Sequence, residues 1–448
     1  MSWAEVKKIN SNMSISLDEL LTQILAGGQR EYIYESRTYT IPYSGVYTIR
    51  AFEGLYGSYG KVVKNFTKGE ILTITISNGS LTITSNLQST TVFHINLSKD
   101  SYVNSNSADS VRALAIGGAE IYKDGGNAYV RSNNGIAAGG GGAGGGNNST
   151  NSSNTYYYIG HNGGAAYAWG NNVYALGGGG GGSGLSRNAS NNQFGIGGNA
   201  YINGVALNDY CSINSLSSGK GYNGENSHSP SSWDYGGQGG NGGCGGGCGF
   251  DRYEYNTTSA FMGGGFGYFS DGGYINGGSA RGGDEIESVS RTSVNTMARS
   301  PKGYFVGGHG GGSGNNACAG GTGGFLGGVG AKAQHYNGGA GGYSPYGFGG
   351  EGGNTSESST NNSAGKGGDG KIFGGQGGSG YINSNGGNGG NGYYPGKGGI
   401  MRSPNTGSNG SDGIALTNNM IIGTAPLRGM TPTTSIVIVE YGDSPEDF

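Results

Sequence analysis

A mostly β fold is predicted: a β-sandwich carrying a long inserted bundle of polyglycine II helices, preceded by short α-helices. Three features of the 448-residue sequence point there. Glycine accounts for 104 residues, about three times its usual share, and much of it recurs in Gly-Gly-X triplets. β-Branched and aromatic runs cluster within residues 31–97 and are strongest again at 435–441. Helical apolar spacing marks the first 28 residues. The sequence therefore divides into an N-terminal helical segment (1–28), a first sandwich part (29–115), a glycine-rich body (116–429) and a C-terminal strand (430–448).

Two capping-box patterns open the chain. Ser2 with Glu5 precedes residues 3–9, and Ser16 with Glu19 precedes residues 17–25. Leu17, Leu20, Leu21, Ile24 and Leu25 fall on one helical face, and Gly27 and Gly28 stop the pattern. Helices this short are not stable alone, so the face packs on the sandwich or mediates self-association or docking. Together with Trp3, these apolar residues are the candidates for oligomerisation and attachment.

Short alternating runs follow at 37–41, 45–52, 71–77, 81–85 and 91–97. Pro42 with Gly45, Lys68 with Gly69, and Asn78 with Gly79 punctuate them as turns, giving an antiparallel half-sandwich. The run Ser-Ile-Val-Ile-Val-Glu-Tyr at 435–441 is the most strand-like of all. A lone strand would expose both edges, so it is expected to return and pair with the N-terminal strands. The glycine body then becomes an insertion between strands.

Composition alone would allow that body to be a flexible linker. Three observations argue for a structure. Gly-Gly-X phasing runs through 236–246, 374–380 and 386–392, and more briefly through 338–342 and 349–353. Period three matches an extended left-handed helix with three residues per turn. Two of its three faces carry only hydrogen, so neighbouring helices can approach and satisfy their backbones by lateral N–H to C=O bonds. Next, the X positions are small or polar: Gln238, Asn241, His309, Glu351, Ser379, Asn388 and Asn391 suit a solvent-facing third face. Collagen is excluded, because only 9 prolines are present and glycine exceeds one per triplet. Last, the glycine is broken by apolar punctuation at 156–159, 167–169, 173–176, 266–269, 304–306 and 343–348, expected as turns and short strands stapling the bundle from outside.

Signals for chemistry are weak. A formal net charge of −3 gives no footprint for nucleic acid, and no apolar run is long enough for membrane insertion. Residues 1–12 lack the apolar core of a signal peptide. Cys244 and Cys248 resemble half a zinc site, but a second pair is missing and His228 and His309 stand in no ligand spacing. The glycine string 177–184 lacks the Gly-Lys-Ser/Thr ending of a phosphate loop. Asp284, Glu285 and Glu287 lie beside Arg281 and Arg291, as in an ordinary charged loop. A non-enzymatic protein without cofactor or metal is expected. Loops rich in Tyr, Asn and Ser on a rigid scaffold make adaptable binding surfaces. Tyr156, Tyr157, Tyr158, Trp233, Tyr235, Tyr253, Tyr255, Tyr393 and Tyr394 are the receptor-binding candidates, the competing reading being that these rings cover glycine helices.

Two resemblances extend this reading. Ser-Trp-Ala-Glu-Val-Lys-Lys-Ile-Asn-Ser-Asn-Met, at 2–13, is similar to the N-termini of tail-associated proteins in phages and prophages of Gram-positive bacteria. The plan of Thr-Tyr-Thr-Ile-Pro-Tyr-Ser-Gly-Val-Tyr-Thr-Ile from Thr38, then Thr-Lys-Gly-Glu-Ile-Leu from Thr67, then long glycine runs, resembles glycine-rich domains of the type found in the anaplastic lymphoma kinase receptor. That likeness implies a tumour-necrosis-factor-like, jelly-roll sandwich with inserted polyglycine II helices. Glycine-rich tips of some phage adhesins use similar bundles, with receptor-binding loops at the bundle end.

Together these imply a phage or phage-like tail fibre or receptor-binding protein. It would be made in the bacterial cytoplasm without a signal peptide and reside in the virion tail or another extracellular particle. Its expected partners are tail or baseplate proteins at the N-terminus, a bacterial surface glycan or protein at the loops, and two further copies in a homotrimer. The alternative is a self-assembling structural filament subunit that binds no receptor.

Overall fold

The computed structural model describes residues 30–53, 58–77, 80–88, 93–105, 109–115, 124–142, 159–183, 193–211, 217–226, 240, 242–243, 274–276, 279–281, 352, 363–369, 374, 376–380, 385–391, 396–399, 408–414 and 435–442. The helices expected within 1–28 lie outside them. Among the described residues the protein is mostly β, without α-helix, and has two mixed sheets.

The strands are β1 (Arg30–Ile33), β2 (Arg37–Thr40), β3 (Gly45–Phe52), β4 (Tyr59–Phe66), β5 (Ile71–Ser77), β6 (Ser80–Ser85), β7 (His94–Leu97), β8 (Ser101–Asn104) and β9 (Ser110–Leu114). There follow β10 (Ala128–Arg131), β11 (Asn134–Ala138), β12 (Ala166–Trp169), β13 (Asn172–Leu176), β14 (Ala200–Ile202) and β15 (Val205–Ala206). The last are β16 (Tyr274–Asn276), β17 (Ser279–Arg281) and β18 (Ile436–Tyr441). A seven-stranded sheet has the order β1-β18-β3-β4-β9-β11-β13, and a nine-stranded sheet the order β15-β14-β12-β10-β8-β7-β6-β5-β2. β16 and β17 pair with each other.

Period-two alternation builds these sheets. In β5, Leu72 and Ile74 turn inward while Ile71, Thr73 and Thr75 are exposed. Ile49, Val62 and Val111 of the seven-stranded sheet share one buried core with Leu72, Ile83, Ile95 and Val103 of the other. At Gly60 the sheets come so close that an added Cβ would stand 2.9 Å from the Ile95 Cγ2 and 3.0 Å from the Val103 Cγ2. β18 lies antiparallel between β1 and β3, with Val439 opposite Ile49. A buried Arg50–Glu440 ion pair of 3.0 Å joins residues 390 apart in sequence.

Pairing follows the antiparallel expectation among the strands up to β9 and at β18, but not through the middle of the sheets. There β8, β10, β12 and β14 pair parallel, as do β9, β11 and β13. The chain lays one strand in the nine-stranded sheet, crosses through 132–133 or 170–171 to the seven-stranded sheet, and returns through glycine-rich chain. A return of that length lets each circuit re-enter its sheet from the same end, as parallel pairing requires. The runs at 167–169 and 173–176, expected as staples outside the bundle, are thus β12 and β13 within the two sheets. Inward positions along these circuits are mostly alanine: Ala128, Ala166, Ala168, Ala200, Ala137 and Ala175 are fully buried. The parallel series ends where Asn203 (φ 49°) and Gly204 (φ 82°) turn the chain back into the two-residue β15.

The glycine runs beyond the strands hydrogen-bond sideways to runs distant in sequence, at every third residue. Gly177 and Gly180 donate to the carbonyls of Gly219 and Tyr222 at 3.0 and 2.9 Å, so these two runs are parallel. Gly178 and Gly181 donate to Gly164 and His161 at 2.9 and 2.8 Å, so those two are antiparallel. A second group repeats the pattern: Gly386 and Gly389 donate to Ser408 and Ser411, both at 2.9 Å, and Gly410 and Gly413 to Gly399 and Gly396 at 3.0 and 2.9 Å.

The polar X residues take part as well. The amide oxygens of Asn385, Asn388 and Asn391 accept the backbone N–H groups of Ser408, Ser411 and Ile414 at 2.9, 3.0 and 2.8 Å. Asn388 is exposed, as expected of a third face, yet its side chain also fastens the adjacent run. Asn127 and Asn162 do the same for Ala165 and Ile196, both at 2.8 Å.

Candidate functional site

The parallel register stacks equivalent side chains. Tyr102, Tyr129, Tyr167 and Tyr201 are partners on adjacent strands β8, β10, β12 and β14. Alternation turns all four outward, because their neighbours Val103, Ala128, Val130, Ala166, Ala168 and Ala200 point into the core. In-register strands repeat a side chain at the interstrand spacing of about 4.8 Å, which suits aromatic stacking. Tyr129 and Tyr167 stack at 4.9 Å with planes 4° apart, and Tyr167 and Tyr201 at 4.7 Å and 3°. The ladder opens at the next step. Tyr102 and Tyr129 stand 6.4 Å apart and tilted by 48°, and His94 contacts Tyr102 at 5.8 Å.

The next outward row brings Arg131 directly opposite Trp169. The guanidinium lies 4.6 Å from the centre of the indole, a cation–π contact, and Trp169 lies nearly parallel to Tyr167 at 6.1 Å. Where the ladder opens, a groove of about 370 Å³ lies between Tyr102, Tyr129, Arg131 and Trp169, and Asn96, Ser98 and Asp100 complete its lining. Asp100 accepts the backbone N–H of Asn127 at 2.7 Å, which fixes one carboxylate oxygen.

Burial raises the Tyr129 phenol above its ordinary pKa, and the negative charge of Asp100 adds to this. Burial also raises Tyr167, with its two stacked neighbours and Asp100 contributing. Both rings therefore keep their hydroxyl protons at neutral pH. Burial lowers the pKa of His94, which favours the uncharged imidazole beside Tyr102. The groove thus offers aromatic surface, neutral hydroxyls, one amide, one carboxylate and one guanidinium.

None of these residues is among the binding candidates the sequence suggested; Tyr167 and Trp169 fall in the run 167–169, expected only as a staple outside the bundle. The receptor-binding candidates Tyr156, Tyr157, Tyr158, Trp233, Tyr235, Tyr253, Tyr255, Tyr393 and Tyr394 lie outside the described residues, as do Trp3, Leu17, Leu20, Leu21, Ile24 and Leu25. Cys244, Cys248 and the acidic cluster Asp284, Glu285 and Glu287 lie outside them too. The signal that finds the ladder is an internal repeat: Gly-Gly-Asn-Ala-Tyr at 125–129, Gly-Gly-Ala-Ala-Tyr at 163–167 and Gly-Gly-Asn-Ala-Tyr at 197–201. Each copy is a glycine run entering one outward tyrosine. Among the described residues, no three His, Cys, Asp or Glu side chains cluster in a way that could hold a metal ion, and Cys211 is a buried free thiol.

Comparison with known protein families, characterised proteins and solved structures finds no match.

Proposed function

We propose that this chain is a structural and adhesive protein of a phage or phage-like particle, a tail fibre or receptor-binding protein that presents binding surface to a bacterial cell on a rigid glycine-rich scaffold. In this reading the two sheets form a jelly-roll-like sandwich and the glycine runs form a polyglycine II bundle inserted between its strands. The observation that carries it is the sideways hydrogen bonding of the glycine runs at every third residue, which replaces a hydrophobic core by backbone bonds. A flexible linker has no use for such a network. The shared core of the two sheets supports the sandwich, and the outward tyrosine ladder with its groove supports display. The N-terminal segment attaches the protein to the particle, and a trimer is the subunit arrangement proposed.

The purified full chain tests this. Solution mass should correspond to three subunits, and labelled protein should bind the envelope of a host bacterium saturably. A monomer that binds no bacterial surface contradicts the reading. Concentration-dependent fibres in electron micrographs, without surface binding, would favour the filament subunit instead.

A further inference from the structure

We propose that the groove between Tyr102, Tyr129, Arg131 and Trp169 is a saccharide site that holds an uncharged pyranose unit of a glycan. The assignment rests on the display reading for the source of that glycan, the bacterial surface. The site itself is argued from the groove.

The groove sits at the opening of the ladder. Tyr129 stacks one face on Tyr167 at 4.9 Å, but on its other side Tyr102 is 6.4 Å away and tilted by 48°. Aromatic surface is therefore left facing the groove instead of being consumed by the stack. A pyranose ring has a flat C–H side suited to such a surface and a rim of hydroxyls that each donate and accept. Asn96 can do both, Asp100 accepts, and Arg131 donates. Arg131 is already held over the Trp169 ring, so little side-chain freedom is lost when its fork meets a ligand. Asp100 is likewise held in place by the Asn127 N–H. The volume of about 370 Å³ lies at the lower end of small-ligand sites.

Charge selects the class of sugar. One carboxylate and one guanidinium leave the lining without net charge, which favours a neutral ligand. Asp100 would repel a uronate or a phosphate. A single strand of nucleic acid would also stack on aromatic rings, but it needs a cationic track, and among the described residues Arg131 is the one cation that lines the groove.

The test uses the full chain, titrated with neutral oligosaccharides of glucose, galactose, mannose and N-acetylglucosamine and with oligogalacturonate, read by saturation-transfer NMR and calorimetry. At least one neutral series should bind. Trp169→Ala and Arg131→Ala should each weaken that binding at least tenfold. Val205→Ser, on the exposed edge strand of the same sheet, should leave it within twofold. Asp100→Asn keeps the acceptor for Asn127 but makes the lining cationic, and should shift preference toward oligogalacturonate. Circular dichroism of every variant separates lost binding from lost fold, with Asp100→Asn as the conservative probe should Trp169→Ala fail to fold. The proposal is overturned if no neutral series binds, if the parent prefers oligogalacturonate, or if the groove variants bind as the parent does. Adhesion of the same variants to cells distinguishes the two failures. Cell binding that survives folded Trp169→Ala overturns the groove but not display. Sugar binding without cell binding overturns display but not the groove.

Discussion

Replacing Gly164 by alanine probes the glycine network at a point where its cost can be worked out. An added Cβ at this position would lie 1.8 Å from the Gly126 carbonyl oxygen and 2.5 Å from its carbon, whereas ordinary contact begins near 3.4 Å. Both obstacles are backbone, so relief requires the runs to separate by the difference, 1.6 Å. Two hydrogen bonds join these runs beside Gly164: the Gly125 N–H donates to the Asn162 carbonyl at 2.9 Å, and the Ala165 N–H to the Asn127 amide oxygen at 2.8 Å. Neither survives a displacement of that size. Two bonds broken in this part-buried seam cost about 1–3 kcal/mol each. Alanine recovers only ~0.4–1 kcal/mol by restricting the unfolded chain. The expected net loss is about 1–5 kcal/mol, measured by urea unfolding followed through tyrosine fluorescence. Ile414→Ala, at a side chain 71% exposed, should change stability by less than ~0.5 kcal/mol and serves as the control. If Gly164→Ala proves as stable as the parent, or more stable, the runs are not packed side by side and the reasoning fails.

Other positions give further checks. Glu440→Ala leaves the Arg50 guanidinium in a buried site without this partner, and should cost about 3–5 kcal/mol in the same unfolding assay. Tyr167→Ala removes stacked contacts with Tyr129, Tyr201 and Trp169 and should cost about 1–3 kcal/mol, whereas Tyr167→Phe keeps all three and should cost under ~0.5 kcal/mol; equal losses would mean that stacking is not the source. Burial pushes the Cys211 thiol up to about 12, so native protein at pH 8.5 should alkylate at Cys211 far more slowly than urea-unfolded protein, as followed by mass spectrometry. Because the folded pKa is the raised one, the contribution of Cys211 to stability is complete below about pH 9. It should decline as pH rises from there toward 12.

The sequence makes the strands visible where side-chain alternation is unopposed. β5 reads directly from alternation, with Leu72 and Ile74 at core positions, and β18 from its unbroken run of buried β-branched residues 436–439. β4 was hidden, because Gly60 interrupts its apolar pattern and its charged Lys61 and Lys64 are nonetheless buried. The parallel strands β10 and β14 were hidden for a different reason, and β12 and β13 were legible only as short strands expected outside the bundle. Their inward residues are mostly alanines, which carry little hydrophobic signal, and their outward row is led by tyrosine, the reverse of the usual polar exterior. The repeated Gly-Gly-X-Ala-Tyr is what places β10, β12 and β14 side by side, and it requires comparing segments 38 and 34 residues apart instead of reading each locally. Triplet phasing pointed to lateral packing of glycine runs. It did not show that Asn385, Asn388 and Asn391 would hydrogen-bond the next run, because period three alone leaves the third face to solvent.

Amide hydrogen exchange of the full chain, resolved by mass spectrometry over peptides spanning 160–183 and 385–399, tests most directly whether the glycine body is a hydrogen-bonded scaffold. Laterally bonded donors such as Gly164, Gly178, Gly387 and Gly399 should exchange as slowly as strand amides of β3 and β18. Exchange of these peptides at the rate of an unstructured chain would identify the body as a linker and contradict the account.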